Sequence, residues 1–322
     1  MTTNLYECVR QWVLTGLPYD RNDQKLCAEL EAMDARDLLI VYHNWMVRHV
    51  HPTPRKVFRS KAFDANSVAI ARKDDLDALI AKIERGDDLK PHLSTRTDVV
   101  WEGSVQKLNR RRDLDLMLLE WHVHHLHISR TMQADGYVQR DGPLLFVVFL
   151  PDAAYILDLM THADFNRDHI LKILADEWPG AELIYEIKGG PGYEVKGLAV
   201  NYTEEERNQL RKVAINTMIE IDGRVFKPAG GLTTAGTSIE ASMAADKLLK
   251  KVKMWQDALD TDIAYFQRDA RRVGRVWPAV PDFAMDFVQH EGVVVLALHE
   301  RHTQLAYVVG ETHESAAAQA AE

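Results

Sequence analysis

The sequence has few cysteines, no excess of positive charge and no long apolar run. Each of these absences argues against a class of protein. Its two cysteines, Cys8 and Cys27, argue against a disulfide framework or a cysteine zinc site. A formal net charge of -9 at pH 7 argues against non-specific nucleic-acid binding over the whole surface. No stretch approaches the roughly 20 apolar residues of a membrane span, and no signal-peptide pattern is present. We therefore expect a soluble, cytoplasmic protein with no membrane partner.

The spacing of apolar residues changes along the 322-residue chain and predicts an α+β fold. Residues 1–100 have mainly helical spacing, and residues 101–200 predict an antiparallel sheet domain that carries histidines. Residues 201–322 predict a helix, a hairpin at Asp222-Gly223 and a long helix from Ser238 to about Arg272, followed by two strands. The expected architecture is a central antiparallel sheet with helices packed on it, plus an N-terminal helical region and the long C-terminal helix.

Four histidines lie within the six residues from His122 to His127, directly before an apolar segment that predicts strands. If residues 116–128 form one strand, Glu120, His122 and His124 share a face, because side chains alternate along a strand. The second strand of the following hairpin would then direct Asp158 and His162 the same way. Imidazole transfers protons near neutral pH and is a frequent metal ligand, so we expect the chemistry of the protein here.

An acid–base hydrolase is the favoured interpretation of this cluster. Such an enzyme needs two groups of tuned pKa on either side of a phosphate and a cation for the developing charge. His122, His124 and His162 are the acid–base candidates, Asp158 would orient an imidazole, and Arg130 would stabilise charge. The predicted function is a phosphodiester hydrolase that needs no cofactor, with RNA as the favoured substrate.

Other interpretations of the same residues remain open. His122 and His124, with Asp158 or His162 as a third ligand, match a catalytic zinc site that keeps one position for water. If the segment is helical instead, Glu120, His124 and His127 line up at a spacing that also suits a metal. In a third interpretation, the histidines are packing residues on a sheet face. The protein would then be a non-catalytic binding or scaffold protein that self-associates through its long helix.

Three segments of this region resemble the sheet of RelE-type and barnase/EndoU-type ribonuclease toxins. They are Leu118 to Ser129, Leu144 to Leu150 and Tyr155 to His162, which together span about 45 residues. In those toxins the sheet face carries the residues that cleave RNA. The resemblance therefore implies an RNA-directed site on this sheet, with histidines here in place of arginines.

Two further segments are candidates for contact with phosphate. The stretch from Arg48 to Lys61 is basic, and Arg55, Lys56 and Arg59 are its anion-binding candidates, although charge runs more often solvate a surface. The glycine-rich residues 228–238 precede the long helix, where amides and the positive helix end attract anions. Its candidates, with the neighbouring lysine, are Lys227, Gly231, Thr237 and Ser238. An ordinary hairpin-to-helix connection is the favoured interpretation of this loop, and a phosphate or RNA-backbone site is the alternative.

Overall fold

The computed structural model of the protein describes residues 3–103, 107–161, 168–290 and 293–311. These residues form eleven α-helices and ten strands in three separate sheets. They divide into two compact units, one of residues Asn44–Glu240 and one of Met1–His43 with Ala241–Glu322. The mixed α+β class is confirmed, but the expectation of one central sheet is wrong. No helix among the described residues is both long enough and apolar enough to cross a membrane.

The largest sheet lies in the unit of residues 44–240 and has four strands in the order β1-β4-β3-β2. Strands β2 to β4 form the predicted antiparallel meander, whereas β1 pairs with β4 in parallel, so the sheet is mixed. A β-bulge interrupts the pairing of β3 and β4 between Phe146 and Val147. The strands are β1 (Lys56–Arg59), β2 (Val123–His127), β3 (Leu144–Phe149) and β4 (Ala153–Met160).

Apolar side chains cover both faces of this sheet. Leu144, Phe146 and Val148 of β3 belong to one buried cluster, and Leu145 and Val147 of the same strand belong to another. Because alternate residues point to opposite faces, a strand buried on both faces is a continuous apolar run. This explains the sequence of β3, and it confirms the predicted strand.

Helices pack on each face of the sheet. On the face of Leu145 lie α4 (Lys61–Ala65), α5 (Ser67–Ala71) and α6 (Lys73–Arg85), whose last residue precedes Gly86 in the left-handed region. On the face of Phe146 lie α7 (Leu116–Trp121) and α8 (Asp168–Glu177).

The interpretation of residues 116–128 as one strand is wrong. Asp115 caps α7 by accepting a hydrogen bond from the Leu118 amide at 3.1 Å, and the helix ends at His122, whose φ is 57°. Residues Met117–Trp121 are all buried, and a helix that is buried all round shows no amphipathic period. Strand β2 begins only at Val123.

A second, three-stranded sheet with the order β5-β7-β6 contributes to the same unit. Strands β6 and β7 form the hairpin predicted at Asp222-Gly223, and their buried residues join the apolar cluster of Phe146. Thr203 and Glu206 form the capping box of a short helix before them. These elements are β5 (Tyr185–Glu186), α9 (Glu204–Arg211), β6 (Ile219–Ile221) and β7 (Arg224–Lys227).

The second unit combines N-terminal helices with a three-stranded antiparallel sheet in the order β10-β9-β8. Asn4 caps the first helix, and the Leu5 amide donates to Gln256 Oε1 at 2.8 Å. The elements that lie in this unit, wholly or in large part, are α1 (Leu5–Gly16), α2 (Gln24–Glu31), α3 (Ala35–Met46), α10 (Ile239–Thr261), α11 (Ile263–Arg272), β8 (Phe283–His290), β9 (Val293–Glu300) and β10 (Leu305–Glu311).

The predicted helix from Ser238 to Arg272 is wrong in one respect, because two helices occupy this stretch. Helix α10 has 23 residues and ends at Thr261, and Asp262 caps α11 by accepting from the Tyr265 amide at 3.1 Å. An aspartate competes for backbone donors and so favours a cap over a helix interior. The self-association expected of the long helix stays a prediction.

Candidate active site

A cleft of about 320 Å³ lies at the start of β2 and the end of β3, in the unit of residues 44–240. This volume falls within the range of small-ligand pockets, about 300–1,000 Å³. Apolar side chains make most of its wall, and a few polar groups converge on it. The lining residues that carry polar side chains are His122, His124, Glu182, Tyr185, Ser238 and Glu240.

His122 is paired with a carboxylate inside this cleft. Its Nε2 lies 3.0 Å from Oε2 of Glu240, in the first turn of α10, and its side chain is 37% exposed. The left-handed backbone at His122, where α7 ends, turns the chain into β2 and directs the ring into the cleft. A carboxylate that accepts from one ring nitrogen leaves the other nitrogen as a proton acceptor.

His124 lines the cleft from β2 and stacks edge-on against Phe149, with 5.4 Å between ring centroids. Burial, together with the smaller repulsion of the neighbouring His125, His122 and Arg55, lowers its pKa to about 3. The imidazole of His124 is therefore neutral at pH 7. A neutral imidazole offers one donor and one acceptor but has no proton to give as an imidazolium.

Glu120 faces away from this chemistry. Its buried carboxylate accepts a hydrogen bond from Nε of Arg211, at the end of α9. Burial raises the pKa of Glu120, and the guanidinium of Arg211 opposes this rise. The pair joins α7 to α9, so Glu120 has a structural contact in place of the shared strand face that we expected.

The other histidines of the cluster also have local partners. His125 Nδ1 lies 3.5 Å from Oδ2 of Asp115, the residue that caps α7. His127 is buried, and its carbonyl accepts from Nδ1 of His92 at 2.7 Å. These contacts tie β2 to the preceding helix and to the segment around His92.

Asp158 lies elsewhere on the sheet and orients a different histidine. The register places it opposite Phe146, in the row of His125 and not of His124. Its carboxylate accepts from His169 Nε2 at 2.9 Å and from Asn66 Nδ2 at 2.7 Å. The structure therefore does not bring Asp158 together with His122. Sequence reasoning missed His169, which lies on α8, another element of the chain.

Arg130 and His162 complete the predicted catalytic set. Arg130 follows β2 at the end away from the cleft, and its Nε donates to Asp75 Oδ1 at 2.9 Å. His162 lies outside the described residues. Of the four predicted catalytic residues that the structure describes, His122 and His124 line the cleft, and Asp158 and Arg130 do not.

The three anion-binding candidates of the basic stretch comprise one buried and two exposed side chains. Arg55 is buried and donates to the carbonyls of Leu150 and His51, both at 2.8 Å, and burial lowers its pKa. Arg59 is paired with Asp64 at 2.5 Å. Lys56 is exposed on the edge strand β1, with its Nζ 4.9 Å from the ring centroid of Phe58. Only Lys56 of the three remains without a carbonyl or carboxylate contact within the described residues.

The glycine-rich loop uses its amides for structure. Gly230 N–H donates to the carbonyl of Glu120 at 3.0 Å, and Gly231 N–H donates to that of Leu119 at 2.9 Å. A Cβ on Gly230 would overlap the Leu119 carbonyl and lie 2.8 Å from His122 Nε2. Gly230 thus lets the loop approach the end of α7 closely. Thr237 and Ser238 are buried, and the hydroxyl of Thr237 lies 2.7 Å from that of Thr233.

Lys227 is a cationic anion-binding candidate whose ammonium lies against a residue of the cleft wall. It pairs with Tyr185 across β7 and β5, and its Nζ lies 5.0 Å from the centroid of the tyrosine ring. Tyr185 lines the cleft and is 40% exposed. Nearby, Glu182 lines the same cleft with a φ of 53°, as His122 does with 57°. Backbones in this sparsely populated region cluster at functional sites.

Sequence reasoning missed Glu182, Tyr185 and Glu240. Each lies 60 or more positions from His122 along the chain, so no local spacing connects them. Among the described residues, no group of three or more histidine, cysteine, aspartate or glutamate side chains is arranged to hold a metal ion. No protein-family model matches the chain, and no similar curated protein or solved structure was found.

Proposed function

We propose that the cleft is the active site of an acid–base phosphodiester hydrolase, that RNA is its substrate and that His122 is its general base. The observation that carries this proposal is the 3.0 Å contact between His122 Nε2 and Glu240 Oε2 inside a ligand-sized cleft. Glu240 holds the proton on Nε2, so Nδ1 accepts the proton of an attacking hydroxyl.

The other polar groups of the cleft have supporting roles in this proposal. His124, which burial keeps neutral, offers a hydrogen bond to the substrate. It carries no positive charge that would repel a neighbouring cation. Lys227 supplies positive charge close to the cleft wall. The acid–base role of His162 and the metal-dependent alternative with His122 and His124 as ligands both stay predictions.

The test is cleavage of single-stranded RNA in the presence of EDTA by three variants. We expect His122→Gln to lower kcat at least 100-fold, because general base catalysis contributes about 10²–10⁴-fold. Glu240→Gln should also lower kcat, because an amide no longer holds the proton on Nε2 and so no longer keeps Nδ1 as the acceptor.

The matched control is His169→Gln, which removes another histidine with a carboxylate partner, outside the cleft. Its activity should stay close to that of the unmodified chain. If His169→Gln loses activity and His122→Gln retains it, the active site lies at Asp158 and His169 instead. Near-equimolar metal that disappears in His122→Gln would instead favour the metal-dependent hydrolase.

A further inference from the structure

Tyr185 and Lys227 form a paired feature of the cleft wall that the acid–base chemistry does not use. The two residues face each other across neighbouring strands, and the ammonium lies over the tyrosine ring at 5.0 Å from its centroid. The ring itself is 40% exposed and lines the cleft. No carboxylate of the described residues forms an ion pair with Lys227.

We infer that Tyr185 is a stacking platform for one unpaired nucleobase, with Lys227 on the phosphate beside it and Glu182 on the edge of the base. This inference rests on the proposed function and names its substrate as a single strand.

The ring geometry favours a planar ligand. Aromatic side chains bind unpaired bases through their faces, and each stacked base contributes about 1–3 kcal/mol of binding free energy by alanine substitution. Strand pairing with β7 holds the backbone of Tyr185 in place. A base held in a duplex has no free face, so only a single strand or a flipped nucleotide fits this platform.

The charges around the ring favour a nucleotide over a purely apolar ligand. Lys227 provides a cation against the ring of Tyr185, within reach of the phosphate of a stacked nucleotide. Glu182 provides an acceptor in the cleft, and carboxylates accept hydrogen bonds from the amino groups of bases. The cleft therefore favours cytosine, adenine or guanine, which carry an amino group, over uracil, which has none.

The size of the cleft limits the number of bases. A volume of about 320 Å³ holds one nucleotide-sized ligand and not several. Its apolar wall includes Val148, Phe149 and Leu183, which would contact the base opposite to its polar edge. We therefore expect one dominant stacking contact and not an extended series.

The test measures binding separately from cleavage. Short 2′-deoxy oligonucleotides lack the hydroxyl that attacks the phosphate, so the full-length protein binds them without cutting them. Fluorescence anisotropy with oligo-dC and oligo-dT should show tighter binding of oligo-dC, because thymine, like uracil, has no amino group. Tyr185→Ala should weaken oligo-dC binding about 10-fold or more, whereas Tyr185→Phe should retain it.

Glu182→Gln supplies the second readout. It should reduce the difference in binding affinity between oligo-dC and oligo-dT, because an amide oxygen accepts a hydrogen bond from an amino group less strongly than a carboxylate does. Exposed Tyr193 gives the matched control, and Tyr193→Ala should leave binding unchanged.

Equal binding by Tyr185→Ala and the unmodified chain would overturn the platform, and so would an absence of oligonucleotide binding. RNA cleavage that depends on His122 in such a case would leave the proposed function standing. Conversely, base binding that depends on Tyr185 without RNA cleavage would retain the platform and remove the hydrolase.

Discussion

The neutral imidazole of His124 makes the folded protein sensitive to acid. Its pKa is about 3 in the folded protein because of burial, and about 6.5 in an unfolded chain. As the pH falls from about 6.5 towards 3, only the unfolded chain binds this proton. The contribution of His124 to stability is thus complete above pH 6.5 and declines below it, by at most about 1.4 kcal/mol per pH unit.

We expect His124→Gln to remove this part of the acid sensitivity. Urea unfolding at pH 7, 6 and 5 should show a shallower fall in the free energy of unfolding for His124→Gln than for the unmodified chain. The exposed His302 gives the control, because His302→Gln should leave the slope unchanged. His49 and His92, whose pKa values burial also lowers, contribute to the slope that remains. Equal slopes for His124→Gln and the unmodified chain would contradict the neutral state of His124.

The contact of Glu120 with Arg211 illustrates why a charged residue beside a histidine cluster need not be catalytic. Both side chains are buried, so removing one partner leaves an uncompensated group. We expect Arg211→Met to lower the free energy of unfolding by about 3–5 kcal/mol. The double variant Glu120→Gln with Arg211→Met should recover most of this loss, because it removes the buried charge. Urea unfolding of the single and double variants measures the difference, and an equally unstable double variant would contradict the pairing.

At the scale of elements, the loop around Gly230 positions the site by packing and not by binding an anion. Its amides are already bonded to the carbonyl end of α7, and a Cβ at Gly230 would overlap the Leu119 carbonyl. We expect Gly230→Ala to lower the free energy of unfolding by about 1–3 kcal/mol, because the backbone must shift. Gly190→Ala is the matched control, since no heavy atom lies within 4 Å of a Cβ there. Thermal unfolding measures both, and equal stabilities would contradict the close approach.

Local signals predicted several elements correctly. Asp222-Gly223 predicted the hairpin of β6 and β7, and the sequence also carries the residues that end α6, Gly86 with a φ of 74°, and that cap α9, Thr203 with Glu206. The apolar run of β3 predicted a strand because it lies between two apolar layers. Each of these signals depends on residues within a few positions of one another, so the sequence contains them directly.

The elements that prediction missed depend on burial or on distant contacts. Helix α7 is buried all round and so has no amphipathic period, although Asp115 was a capping signal before it. His124 was predicted as a site residue, and the cleft contains it. Glu240 and Tyr185 reach the same cleft only through the folding of distant segments. A pattern search along the chain finds the histidines but not the residues that complete their site.

At the scale of the whole molecule, a net charge of -9 determines how the chain meets an anionic polymer. The acidic surface repels RNA at long range, and salt screens this repulsion. Each phosphate contact on a single strand contributes a slope of about -0.7 to a plot of log K against log salt. With Lys227 as the main contact, we expect a slope no steeper than about -1.

Binding of oligo-dC between 50 and 200 mM KCl should therefore weaken by only about 3-fold to 4-fold. Lys227→Ala should flatten the slope further, whereas Lys56→Ala, on the edge strand β1, should leave it unchanged. A slope of about -3 or steeper would require several more phosphate contacts than the cleft wall provides. If Lys56→Ala flattens such a slope, the nucleic-acid interface extends to the basic stretch. Lys56 is the residue to test there, because among Arg55, Lys56 and Arg59 it alone lacks a carbonyl or carboxylate contact within the described residues.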